Sequence, residues 1–371
     1  MSIFVPAQPF SPGEYIQDEL DARGWAIDDL AEVTGITKRQ IINLIQAKSG
    51  ISLETAIALA QAFGHDAQTW MNLQAAYELA QAAHDDRSIA RRAKVFEKAP
   101  VRELKRRGWI TSNCDDSTLE KEVCRLLRIP TIDAQPDLAI AAKKGTTYDV
   151  DSASQIAWYC RCRELAEGVA AARYTDANWQ PGIEKLLSLA NEAENTRLVP
   201  SVLAEMGIRL ICVQHLRSTK IDGIATWLDD NSPVVGMSLR FDRIDNFWFV
   251  LMHELVHIKH RHKSPVDVDL GASEDLPEIE RLTNAEAANC IIPSDRLDSF
   301  IKRVHPHYYQ EKIVQFANAR KVHPGIVVGL LHGRGTLKYH QLRKLLVKVR
   351  DYVKGNALTD GWNSALQDNQ E

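Results

Sequence analysis

Five residues, His253-Glu254-Leu255-Val256-His257, constrain this chain more than any other feature, because they close the apolar run Phe247-Trp248-Phe249-Val250-Leu251-Met252. On an α-helix, positions i and i+4 share one face about one turn apart. The two imidazoles are then presented side by side, a spacing that suits one tetrahedral Zn²⁺. Glu254, beside the first of them, is placed to activate a water.

The third ligand has to come from elsewhere. In many sites of this spacing a Glu on a following helix completes the protein ligands and leaves the fourth position for water. Residues 276–293 read as such a helix, with Pro277 suited to its first turn and Pro293 to its end. Ala287, Ala288, Ile291 and Ile292 give it an apolar side. Glu280 is the preferred ligand; Glu278 and Glu286 stay open as alternatives, since spacing does not separate them.

These segments carry a resemblance. Asp242-Arg243-Ile244-Asp245-Asn246-Phe247-Trp248-Phe249 leads into the His253–His257 string, and Glu280-x-x-Thr283-x-x-Glu286-Ala287 precedes Ile291-Ile292-Pro293. Together they resemble the ImmA/IrrE family of zinc metallopeptidase domains. Residues 220–228 and 322–329 look like the longer members of that family, fused to a HigA-type antitoxin. Three positions depart from its pattern: Val256 stands for the usual Gly, Thr283 for Ala and Glu286 for an aromatic. The resemblance implies a zincin-like domain in which a small sheet packs against the zinc helix. An outer strand of that sheet would hold an extended substrate by main-chain hydrogen bonds.

The N-terminus carries a second, independent pattern. Residues 13–24 read as an amphipathic helix containing Tyr15, Ile16, Leu20 and Ala22. A second helix over 27–33 ends at Gly35, and a third runs from Thr37 to about Gln46. Helix, short Gly-containing turn, helix is the arrangement whose second member enters the major groove. Ile36, Ile41, Ile42, Leu44 and Ile45 supply its buried side. Thr37, Lys38, Arg39, Gln40 and Asn43 project outward, where base and phosphate contacts are made. Two more apolar helices follow over 53–63 and 67–79. The stretch resembles the XRE-type helix-turn-helix domain of HigA antitoxins, through Ser11-Pro12-Gly13-Glu14, residues 30–37 and residues 70–77. That resemblance implies a homodimer on operator DNA and a toxin protein as partner.

Charge qualifies the DNA reading. Residues 1–84 hold four basic side chains (Arg23, Lys38, Arg39, Lys48) against ten acidic ones, a net of −6. Non-specific affinity comes from neutralised phosphates, so this segment alone predicts weak binding. A basic segment follows, with Arg87, Arg91, Arg92, Lys94, Lys98, Arg102, Lys105, Arg106 and Arg107 against Glu97 and Glu103. It reads as a solvated helix or as a source of further phosphate contacts.

Elsewhere the pattern is plainer. Residues 88–198 look helical, including the Ala-rich stretch 164–173, with breaks at Pro130 and Pro136. Residues 209–214, 223–228 and 233–239 read as short strands, the last two joined by the turn Asp229-Asp230-Asn231-Ser232. Residues 308–353 look helical, and 355–371 read as a frayed polar tail. The six cysteines lack CxxC pairs or regular spacing, which makes a zinc finger or a disulfide framework a poor reading. No apolar run approaches a membrane span, and Met-Ser-Ile-Phe-Val-Pro lacks the features of a signal peptide, so a reducing cytoplasm is expected.

The expected fold is mainly α with a small α+β domain. Residues 1–84 form a five-helix helix-turn-helix domain, 85–198 a helical connection, 199–300 the zincin-like domain with a short sheet, and 301–371 a helical end and tail. The expected function is a DNA-binding regulator of the HigA antitoxin type that represses its own promoter and neutralises a toxin. The alternative is an active zinc endopeptidase, with Glu254 catalytic, that cleaves a specific regulatory protein.

Overall fold

The computed structural model describes residues 10–82, 87–136, 152–217, 219–262, 267–268 and 278–362. Residues 1–90 and 91–371 form two compact units. Among the described residues no helix is long and apolar enough to cross a membrane. Pro277 and the tail beyond residue 362 lie outside the described residues.

Among the described residues up to 82, the first unit is built of α1 (Pro12–Arg23), α2 (Ile27–Thr34), α3 (Lys38–Ile45), α4 (Leu53–Phe63) and α5 (Ala67–Ala82). Their starts and stops follow the sequence closely. The Ser11 hydroxyl accepts from Glu14 N–H at 3.4 Å while the Ser11 N–H donates to Glu14 Oε1 at 3.1 Å, a capping box ahead of Pro12. Gly24, Gly35 and Gly64 end α1, α2 and α4 at φ of 68°, 72° and 76°. A side chain with a β-carbon disfavours that conformation by roughly 1–2 kcal/mol. The apolar faces meet in one core of Ile16, Leu20, Leu30, Ile41, Leu44, Leu59, Phe63 and Trp70. Each such side chain withdrawn from water contributes about 1.5–3 kcal/mol before the entropy of ordering is set against it.

Helix α6 (Arg87–Lys98) runs across residue 90, where the units divide; in the second unit α7 (Val101–Arg106), α8 (Asp116–Leu127), α9 (Ser152–Ala166), α10 (Trp179–Leu187) and α11 (Val199–Met206) then precede the sheet. Its strands are β1 (Arg209–Val213), β2 (Ile221–Trp227), β3 (Pro233–Met237), β4 (Asp267–Val268) and β5 (Leu358–Asp360), in the order β4-β2-β3-β1-β5. The expected hairpin is present as the antiparallel β2–β3 pair, and β1 runs parallel to both β3 and β5. Period-two alternation splits β1 between two cores. Leu210 and Cys212 face a core with α10, α11 and the helix of residues 244–259, whereas Ile211 and Val213 face one with α8 and α9. Both faces of the sheet are therefore covered. Burial pushes the Cys160 and Cys212 thiols up to about 12, which makes them inert core groups.

That central helix, α12 (Ile244–Lys259), is buried along nearly its whole length. The sheet covers one side, and α13 (Glu278–Ile291) and α16 (Pro324–Gly333) cover others. Gly329 makes the α16 contact possible, since a β-carbon there would lie 2.3 Å from Asp245 Cβ. The buried Asp245 carboxylate is matched by Arg243, which donates from Nε at 3.1 Å and Nη2 at 2.9 Å. Two further helices, α14 (Ser294–Val304) and α15 (Gln310–Arg320), lead from α13 to α16.

Several expectations change. The helix through the Ala-rich stretch, α9, stops at Ala166, and residues 167–173 are not helical. Helical propensity is a weak prior, and Gly168 interrupts it directly. Residues 308–353 are helical only in α15, α16 and α17 (Arg350–Lys354), with an irregular connection and one short 3₁₀ turn between α16 and α17. The presumed frayed tail supplies β5, where Asp360 accepts from Arg161 Nε at 2.7 Å. Among the described residues the outer strands β4 and β5 are two and three residues long.

Candidate functional site

Two places in the fold concentrate chemistry. The first is the contact of α12 with α13. His253 and His257, one turn apart on α12, bring their Nε2 atoms within 2.9 Å of each other. Glu280 Oε2 lies 3.3 Å from the first and 3.4 Å from the second. Both imidazoles are fully buried and Glu280 is 2% exposed. Two donors bonded to a tetrahedral Zn²⁺ at about 2.0–2.1 Å stand ~3.3 Å apart, so the two carboxylate–imidazole separations match such an ion and the imidazole pair is a few tenths of an ångström tighter. The donor set, two imidazoles and a carboxylate, is also one that Zn²⁺ takes. Enclosing carboxylates without water is costly unless a positive charge balances them, which a divalent cation does.

Of the other two candidates for the third ligand, Glu278 is exposed. Glu286 instead accepts from Lys259 Nζ at 2.7 Å and pairs with His260 Nε2 at 2.8 Å. Burial raises the Glu286 pKa, but the bonds from Lys259 and His260 outweigh it and keep the carboxylate below its ordinary range. An ion pair thus occupies the position where the family pattern has an aromatic. Val256 is core, and Thr283 turns inward with its hydroxyl bonded to Ile279 O at 2.8 Å.

Glu254 is fully buried on α12 and faces strand β2. A β-carbon at Gly223 would stand 2.3 Å from Glu254 Oε1 and 2.9 Å from Val250 Cγ1. The strand is bulged at this point, between Ile221 and Gly223. A glycine inside a strand pattern marks such close approaches, so this residue was open to detection from sequence. Two further neighbours of the cluster escaped the sequence reading, Asn284 at 2.9 Å from His253 Nδ1 and His262 at 3.1 Å from His257 Nδ1. Asn284 had a signal, since it follows Glu280 by one turn. His262 had none, because its place depends on how α12 ends.

The second place is α3 of the first unit. Thr37, Lys38, Arg39 and Gln40 are exposed at its start and Asn43 is half-buried, while Ile41 and Leu44 turn into the core. Thr37 is the N-cap: its hydroxyl accepts from Gln40 N–H at 3.3 Å. Gln40 returns the bond, with Oε1 accepting from Thr37 N–H at 3.1 Å and from its hydroxyl at 2.7 Å. Lys38 Nζ bonds Asp28 on α2 at 2.8 Å. Arg39 makes no ion pair among the described residues. The basic segment that follows is largely committed within the second unit. Arg91 and Arg92 fork onto Glu120 and Asp116 of α8, and Lys94 pairs with Asp133 at 2.5 Å. Arg107 donates to the carbonyls of Gln214 and His215 at 2.6 and 2.7 Å.

Residues 16–68 match the helix-turn-helix family. Virulence-associated protein I of Dichelobacter nodosus is 37% identical over 79 residues, which are 21% of this chain and 73% of that protein. The HTH-type transcriptional regulator YddM of Escherichia coli is 34% identical over 71 residues, 19% of this chain and 76% of that one. A solved structure of the Pseudomonas aeruginosa antitoxin HigA with the higBA promoter shares 36% identity over 20% of this chain and 83% of that chain, with a TM-score of 0.20. Through its first unit, the chain belongs to the helix-turn-helix family.

Proposed function

We propose that this protein is a DNA-binding transcriptional regulator of the antitoxin type, which represses its own promoter and neutralises a partner toxin, and that its second unit holds one Zn²⁺ on His253, His257 and Glu280. The observation that carries the regulator reading is the exposed start of α3 on a helix-turn-helix frame, with Arg39 and Gln40 presented at its first turn. The antitoxin reading is supported by the resemblance of residues 11–14, 30–37 and 70–77 to HigA proteins. With its carbonyl oxygen committed to Thr37, Gln40 offers the amide N–H groups, which suit the acceptors on guanine, adenine N7 or thymine O4. Arg39 is placed for a guanine edge or a phosphate. As a dimer the protein would read two half-sites about one helical turn apart. Footprinting on the DNA upstream of the coding region tests this: an inverted repeat is protected, and Arg39→Ala abolishes the protection. A wild-type protein that protects no segment would overturn the reading.

A second reading, proteolysis of a specific protein, is favoured by one observation, the burial of Glu254 beside His253 in the space that Gly223 leaves. When bound, Zn²⁺ supplies Lewis-acid chemistry to such a site. The chain's own contribution would be His253, His257 and Glu280 as the grip and the Glu254 carboxylate as a group that takes up and returns a proton.

A further inference from the structure

Each buried imidazole hydrogen-bonds through its second ring nitrogen, and helix geometry supplies both partners. Asn284 lies one turn beyond Glu280 on α13, so the two side chains project from the same face. Its Oδ1 is 2.9 Å from His253 Nδ1. A carbonyl oxygen only accepts, so the proton of this bond belongs to His253 Nδ1 and the lone pair to Nε2.

His262 reaches His257 by a turn. Arg261 adopts the left-handed conformation at φ 51°, its N–H bonds Ile258 O at 3.0 Å, and His262 N–H returns to His257 O at 2.9 Å. These two bonds make a Schellman ending of α12. It lays the His262 ring across that of His257, centroids 5.2 Å apart at 69°, with the two Nδ1 atoms 3.1 Å apart. For His257 Nε2 to present a lone pair, this bond has to be donated from His257 Nδ1.

We infer that Asn284 and His262 are the positioning residues of the centre: they fix both histidines as Nδ1–H tautomers, so that two Nε2 lone pairs converge with Glu280 Oε2. The inference rests on reading His253, His257 and Glu280 as metal ligands, and adds what orients them. Partners of this kind raise ligand basicity and lock the ring, and their loss typically weakens metal affinity by roughly 10–100-fold.

The test uses full-length protein and Zn²⁺ alone, with affinity read by competition against a chromogenic chelator. Asn284→Leu and His262→Leu should bind Zn²⁺ roughly 10–100-fold more weakly, while Asn284→Asp, which keeps an acceptor, stays within a few-fold of wild type. Zinc-free unfolding midpoints should barely move, which a merely structural role would not predict. Leu variants with wild-type affinity would overturn the inference. A wild type that binds no Zn²⁺ would instead overturn the ligand assignment beneath it. Should a Leu variant fail to fold, ¹⁵N shifts of the imidazoles in Zn²⁺-loaded wild type decide. Coordination through Nε2 with a protonated Nδ1 on both rings supports the inference; coordination through Nδ1 on either ring refutes it.

Discussion

Gln40 serves two ends at once, since its carbonyl oxygen closes the capping box of α3 while its amide N–H groups face outward. Substitution at this position separates the two. Gln40→Glu keeps an acceptor for Thr37, so unfolding should change little, but it places a negative charge where DNA docks. Gln40→Ala removes both functions and should also lower stability by roughly 0.3–1.5 kcal/mol. Both variants should lose specific DNA binding, measured by fluorescence anisotropy, with only the Ala variant shifted in thermal unfolding. Retained binding in Gln40→Glu would remove this residue from the reading face. At the same scale, sequence spacing was enough to pair His253 with His257, because one helix fixes their relation. Choosing Glu280 over Glu278 and Glu286 needed the packed helices: Glu278 points to solvent and Glu286 is held by Lys259 and His260.

Among the elements, those bounded by local chemistry were legible and those bounded by distant pairing were not. Ser11, Thr37, Gly24, Gly35 and Gly64 mark the ends of helices wherever they stand, so the first unit was readable nearly residue by residue. Strand β5 has no such mark; it exists because Ile211, Cys212 and Val213 are ready to pair with it from far back in the chain. The ending of α12 escaped for a related reason, since a left-handed Arg261 is not what a helix terminus advertises. Close helix approach, by contrast, leaves a trace in glycine. Gly329→Ala should destabilise the second unit by about 1–3 kcal/mol, because the added methyl meets Asp245 Cβ rather than a movable side-chain tip. A urea midpoint equal to wild type would contradict the described packing of α16 on α12.

For the whole molecule, charge and domain organisation set the terms. The first 84 residues carry a net of −6, and only Lys38, Arg39 and Lys48 lie on or just after α3 as cations. Phosphate attraction is therefore small, and discrimination has to come from base contacts and from dimerisation on paired half-sites. Glu254 is fully buried within the second unit, so the account assigns it no part in gripping DNA. The most direct measurement is expression of a reporter driven by the protein's own upstream DNA, compared between wild type, Arg39→Ala and Glu254→Gln at equal protein levels. The account predicts full repression by wild type and Glu254→Gln, and relief of repression by Arg39→Ala. Full repression by Arg39→Ala together with a failure of Glu254→Gln to regulate would contradict it, and would make proteolysis the function.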